Sequence, residues 1–321
     1  MEEGRTVLFI KINIISLHMR TLNLIACSLV ALTIASCSKE RIELKPQLNS
    51  FSSPNAYLDS KKQAEQEFII DGSPGPIVGN QGTTIWGGKD CVRLPNGDTI
   101  SYPFTLKLVE LYTPADMIYY QMPTVSASRI LATDGEIRIR TFKNGTELNL
   151  LPGCAGFMVS MPNDAPLPGS RKKFYGFNSG SIIDFTDDLS YLGITSSQNS
   201  FWDVDTIGYN SIIERFGWIN CAQLAGTTSG STLSFSSNVD DLTNVAIFAY
   251  LPATKTVMQA YNQSMGIIPN GTDVKIIAIA VDGNGGLFSF YQQFNVGASQ
   301  TIQVTMSQTT DAQLTALLNT L

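Results

Sequence analysis

From Phe68 onward, apolar and polar positions alternate in short runs separated by turn residues. In "CVRLPNGDTISYPFTLKLVELY", Phe104, Leu106, Leu108 and Glu110 share one face at period two. Thr105, Lys107, Val109 and Leu111 share the other. "GEIRIRTF" sets Ile137, Ile139 and Thr141 against Arg138 and Arg140. Pro95-Asn96-Gly97-Asp98 and Lys143-Asn144-Gly145-Thr146 are turn signals between such runs. Six further strand-like runs follow Gly230, and "DVKIIAIAVDGNGGLFSFYQQF" reads as a hairpin turning at 282–286. Two stretches break the period. "TPADMIYYQMP" predicts a short helical turn with Thr113 as N-cap and Pro114 at the first helical position. Leu314, Leu317, Leu318 and Leu321 recur at helical spacing under an Asp311 cap. The pattern predicts an all-β chain: two antiparallel β-sandwich domains in tandem with a short C-terminal helix.

The chain ahead of this pattern is different. Leu22 to Ser36 is a run of about fifteen mostly apolar residues after Arg20, ending in small side chains. That describes a secretory signal, too short to span a bilayer comfortably. The ending Ile34-Ala35-Ser36-Cys37 resembles the lipobox of bacterial lipoproteins. An ordinary signal peptide with a chance cysteine is the alternative. The resemblance implies cleavage before Cys37 and lipidation of its thiol. It implies a membrane partner through an N-terminal lipid anchor, and a place in the bacterial cell envelope at the outer membrane, on either face. Met19-Arg20 begins a complete signal and is an alternative start. The expected organisation is a signal over 1–36, a lipid-anchored tether over 37–66 and a first sandwich over 67–165. A connector with some strands over 166–215 and a second sandwich with its helix over 216–321 complete it.

Charge and composition narrow the chemistry. The chain holds 21 Lys and Arg against 27 Asp and Glu. Removing 1–36 takes away three basic and two acidic groups, leaving a net charge of −7. No basic patch emerges, so no nucleic acid partner is expected. The one histidine, His18, lies upstream of the expected cut. A mature chain without imidazole loses Ser-His-Asp and Cys-His nucleophile activation and histidine-built zinc sites. Acid–base chemistry would fall to carboxylates, Tyr or Lys. Cys91, Cys154 and Cys221 accompany Cys37; the first two can pair within the first sandwich or stay as buried thiols. No C-x-x-C spacing occurs, and neither a metal nor a cofactor is implied.

Several residues are candidates for a site. Asp187-Asp188, Asp203 with Asp205, Asp240-Asp241 and the turn 282–286 offer hard oxygens without a calcium-loop spacing, so they read as solvated turns. Asn144, Asn262 and Asn270 head Asn-x-Ser/Thr triplets and read as turn residues. Glu110, Glu136, Asp203 and Glu214 are carboxylates from which a glycosidase pair, roughly 5 to 9 Å apart, would have to be drawn. Exposed rings on an exported sandwich stack on sugars or anchor partners. Trp202, in a polar loop-like stretch, and Tyr175 and Phe177, in "KKFYGFNSG", are the ligand-binding candidates, with packing as the alternative. Trp218, inside "FGWIN", reads as core.

The order "GTTIWGGKDCVRLPNGDTISYPFTLKLVELYTPADMIYYQMPTVSASRILATDGEIRIR" resembles the opening domain of uncharacterised Bacteroidota lipoproteins, itself similar to the zonula-occludens/netrin-receptor β-sandwich. "IERFGWINCAQL" resembles a recurrent element of the same lipoproteins. The first resemblance spans roughly 75–165 and points to a fold rather than an activity. Some eukaryotic relatives cut themselves at a His-Phe-Ser step. Phe235-Ser236 and Phe288-Ser289 lack the preceding histidine, so self-cleavage is not implied here. The expected function is a non-catalytic binding or scaffold module for a glycan or an envelope protein. A carboxylate-dependent hydrolase of surface polysaccharide and a fimbrial-type subunit joined by strand exchange are the alternatives.

Overall fold

The period-two runs become strands in a computed structural model. It describes residues 51–321 apart from 163–167, 180–181, 196–199, 207 and 226–228. The expected signal, Met19, Cys37 and the tether up to residue 50 lie outside the described residues.

The first sandwich is made, in chain order, of β1 (Gln66–Ile70), β2 (Thr84–Gly87), β3 (Phe104–Leu111), β4 (Arg129–Lys143) and β5 (Phe157–Pro162). It continues through β6 (Lys172–Ser179), β7 (Ile182–Thr186), β8 (Gly208–Ile212) and β9 (Gly217–Leu224), with two-residue strands between. One sheet has the order β1-β3-β4-β9-β6-β7; the other contains β8-β5-β2. All these neighbours are antiparallel. Between the sheets lie Phe104, Leu106, Leu108, Ile137 and Ile139 from one side and Ile85, Phe157, Val159 and Met161 from the other. Those are the inward positions that the alternation predicts, and Arg138 and Arg140 face outward as predicted.

The second sandwich follows with β10 (Ser231–Ser236), β11 (Val245–Leu251), β12 (Thr256–Gln259) and β13 (Ser264–Ile268). β14 (Asp273–Val281), β15 (Leu287–Asn295) and β16 (Gln300–Gln303) complete it. Its sheets run β13-β10-β16 and β12-β11-β14-β15. β10 and β16 pair in parallel, a departure from the all-antiparallel expectation that sets the last long strand beside the first. β11 and β14 are apolar at nearly every position because both faces are covered. Ile247, Ala249, Ile276 and Ala278 enter the second core, while Phe248, Ile277 and Ile279 enter a third core.

That third core joins the two sandwiches through helices α1 (Pro54–Lys61), α2 (Pro114–Tyr120) and α3 (Asp311–Leu318). Each opens on a side-chain cap: Ser53 accepts from the Ala56 amide, Thr113 from Asp116 and Thr310 from Gln313. Thr310, not Asp311, is the cap of α3, and the Gln313 side chain closes a capping box with it. Tyr57 and Leu58 of α1 are fully buried in this core, and Leu58 stabilises the joint by roughly 1.5–3 kcal/mol. Residues 51–66 are therefore body, not tether. They hold on further through Lys61–Asp311 and Arg138–Glu65 ion pairs of 2.5 and 2.8 Å.

The expected domain boundary also shifts. Strands from 166–215 sit in both sheets of the first sandwich, and β9 pairs with β4 and β6 in its centre. The first sandwich thus reaches Leu224 rather than 165. Leu48–Leu321 forms one compact unit.

Glu136 alternates with Ile137 and so faces the joint, paired in register with Leu111 and Asn220. It is fully buried; Asn220 Nδ2 donates to its Oε1 at 2.8 Å, while its Oε2 has no partner. Burial holds its pKa well above the carboxylate range, and the Asn220 hydrogen bond only partly opposes this. An unfolded Glu releases its proton near pH 4.3, while the folded one retains it, so in that window the unfolded state binds fewer protons. Stability contributed by this group is then lost as pH rises, with a slope of at most about 1.4 kcal/mol per pH unit. Glu136→Gln, shaped like the protonated acid, is expected to raise the unfolding free energy at pH 7 and to flatten that fall. Urea titrations of both proteins from pH 4 to 8 check it, and parallel pH curves would refute it.

Candidate functional site

Among the described residues, a cavity of about 580 Å³ opens to solvent at the first sandwich. Leu148 and Leu150 of its wall belong to that sandwich's core, and Leu192 and Phe216 pack against it. Several local devices hold the wall. Asn144 and Gly145 both take positive φ, 50° and 81°, in the two-residue turn that brings Thr146–Glu147 back against Phe142–Lys143. Asn149–Leu150 pairs with Val92–Arg93, and the Leu151 amide donates to the Cys91 carbonyl at 2.7 Å. A Cys91–Cys154 disulfide with Cα atoms 5.6 Å apart closes this loop from below. On the opposite side, Leu192 and Ile194 donate their amides to the Leu189 carbonyl. Gly217, at φ 112°, turns the chain from Arg215 and Phe216 into β9.

Three charged residues line the cavity: Glu147, Glu214 and Arg215. Glu214 is buried against Lys173, whose Nζ lies 3.2 Å from Oε1 and 3.1 Å from Oε2. The Tyr175 hydroxyl donates to Glu214 Oε2 and accepts from the Glu214 amide at 3.1 Å. Lys173 Nζ also donates to the Ile212 carbonyl at 2.6 Å. Burial pulls the Lys173 pKa below the usual ammonium range, opposed by the charge of Glu214. Burial, then that same charge, pushes the Tyr175 hydroxyl well above its ordinary value. Glu147 sits in a two-point grip, with Arg140 Nε at 2.8 Å from Oε1 and Nη2 at 3.0 Å from Oε2. The Arg140 hydrogen bonds hold its carboxyl below the usual range. Arg215 is half-buried, and burial draws its pKa down. Its Nε donates to the Phe216 carbonyl at 3.3 Å, and no acidic side chain among the described residues pairs with it.

The sequence-predicted ligand rings lie elsewhere. Trp202 is 4% exposed and Tyr175 1%, both inside the first core, so neither presents a face to solvent. The reading of Trp202 as an exposed ring is corrected. Phe201 bridges to Lys172 at the sheet margin, and alternation then turns the next side chain inward. Tyr175 contributes instead as the hydroxyl partner of Glu214. Phe177 is half-buried edge-on to Tyr191, ring centroids 5.1 Å apart, outside the cavity. Trp218, expected in the core, is half-buried under Arg138 at 4.9 Å. The rings open to solvent include Tyr191, Phe201 and Trp86, which shares a cross-strand row with Met158 and Ile212.

The four candidate carboxylates do not converge. Glu110 is buried and clamps the loop at 79–83, accepting from the Gln81 and Thr83 amides at 2.9 Å each. A Cβ on Gly79 would come within 2.6 Å of its Oε2, which is why the loop needs glycine there. Glu136 lies in the joint, Glu214 beside the cavity and Asp203 on an exposed edge strand. The acidic turns cap their own backbones: Asp188 accepts from the Ser190 amide, Asp241 from Thr243 and Asp282 from Gly286. Among the described residues no group of three potential metal ligands assembles. Arg215 and Glu147 were not singled out from sequence. "ERF" was visible inside "IERFGWIN", but its proximity to Leu148 and Leu150 depends on strand pairing across some 65 residues.

No family model matches the chain, and neither a curated protein nor a solved structure is found to match it.

Proposed function

We propose that the chain is a lipid-anchored protein of the bacterial cell envelope, held by Cys37. Its joined β-sandwiches act as a non-catalytic binding module for a glycan or envelope partner. The observation that carries the binding reading is the open 580 Å³ cavity, whose lining mixes apolar side chains with fixed polar and charged groups. Its carboxylates are already engaged, Glu214 by Lys173 and Tyr175 and Glu147 by Arg140. A general acid or base must exchange a proton with substrate, and groups locked in ion pairs serve that poorly. The hydrolase alternative wants two facing carboxylates, whereas Glu110, Glu136 and Glu214 are buried in three separate settings. The fimbrial alternative wants an open strand position, whereas β10 and β16 pair with each other within the chain.

The test uses the full chain expressed in a bacterial host. Intact mass of the membrane fraction is expected to show a diacylglyceryl-modified chain beginning at Cys37. A glycan-array screen and calorimetry with the positive glycans are expected to show binding, without release of shorter products on incubation. Polysaccharide depolymerisation by the purified chain would overturn the non-catalytic reading.

A further inference from the structure

We infer that the cavity selects a carboxylate, gripped by Arg215, on a small molecule whose apolar body lies along the aliphatic wall. This rests on the cavity being the ligand site.

Among the charged residues that line the cavity, Arg215 is the one without a side-chain ion pair. The other strongly buried cations have acids: Lys173 has Glu214 and Arg171 has Asp134 at 2.5 Å. The half-buried Arg138 and Arg140 have Glu65 and Glu147. Arg215 is half-buried as well, yet its one hydrogen bond, from Nε, goes to the carbonyl of its own neighbour; in Arg93, also half-buried without an acid, a terminal nitrogen is held by the Asp90 and Val92 carbonyls. A cation partly removed from water with no counter-charge is unfavourable unless an anion completes it. A guanidinium with its terminal nitrogens unengaged matches an anion with two coplanar oxygens.

The surroundings choose among anions. Two carboxylates lie at the same cavity, each already paired with a cation, so the positive charge left for a ligand is small. Counting Arg140, Lys173 and Arg215 against Glu147 and Glu214, the local balance is a single positive charge. A monoanion neutralises it. Leu148, Leu150, Pro152, Leu192, Ile194 and Phe216 supply the rest of the wall. Those side chains reward apolar area in the ligand. The favoured ligand is therefore a small carboxylic acid with an apolar side, of amino-acid to dipeptide size.

Calorimetric titration of the full chain with N-acetyl-leucine and with its neutral amide tests this directly on the unaltered protein. The acid is expected to bind at least tenfold more tightly than the amide. Arg215→Gln is expected to abolish that preference, and Arg215→Lys to keep part of it through charge alone. Equal affinity for acid and amide would overturn the inference while leaving the binding reading intact. So would an Arg215→Gln chain with a wild-type melting temperature and undiminished preference. Glucuronic acid against glucose forms a second arm: preference for the uronate over N-acetyl-leucine would overturn the apolar body. If neither probe set nor any arrayed glycan binds, the binding reading fails along with the inference.

Discussion

Lys173→Met is expected to lower the unfolding free energy by about 3–5 kcal/mol. The substitution keeps most of the apolar stem and removes the cation that pairs with Glu214, whose side chain is fully buried. What remains is a carboxylate held by the Tyr175 hydroxyl and itself buried. The Ile212 carbonyl loses its donor at the same time. Most of the loss is the cost of an uncompensated buried charge rather than the worth of the pair itself. The double variant Lys173→Met with Glu214→Gln should therefore recover a large part of it. Urea denaturation of wild type and both variants measures the effect. A single variant within 1 kcal/mol of wild type, or a double variant no better than the single, refutes the argument. Lys173→Met also turns the local charge beside Arg215 from positive to neutral, so affinity for N-acetyl-leucine should fall with stability.

The second large effect belongs to the Cys91–Cys154 disulfide. It closes a loop with a sequence separation of 63 residues, for which the chain-entropy model gives about 4 kcal/mol of stabilisation. It also ties Leu150–Pro152, one wall of the cavity, to the strand pair at Val92–Arg93. A chain with both cysteines replaced by alanine is expected to unfold at markedly lower urea and to lose ligand affinity. Wild type under reducing conditions should move the same way. A stability change below 1 kcal/mol in both experiments would mean that the loop is held by its hydrogen bonds alone. Cys221 does not complicate the comparison, being a buried thiol whose pKa burial pushes well up.

Much of the molecule can be read locally. Ile137 and Ile139 point into the first core, and Arg138 and Arg140 away from it, because backbone pleat alone dictates alternation. Asn144-Gly145 and Asp282–Gly286 turn where short-range backbone chemistry says they must. Thr113-Pro114 opens a helix for the same reason. Ser53-Pro54 carries the same signal, but α1 has only Tyr57 and Leu58 to mark an apolar side, too few to show a helical period.

What the amino-acid order determined by itself is the set of strands, their buried faces, most of their turns and the absence of imidazole after His18. Tertiary structure alone decided which strands are neighbours. It placed β9 between β4 and β6, put Trp202 and Tyr175 inside, and set Arg215 across from Leu150. The physical reason is that period-two alternation specifies a face but no partner. Pairing is settled only when distant segments bury their faces together, and a cavity lined from several of them exists only after that.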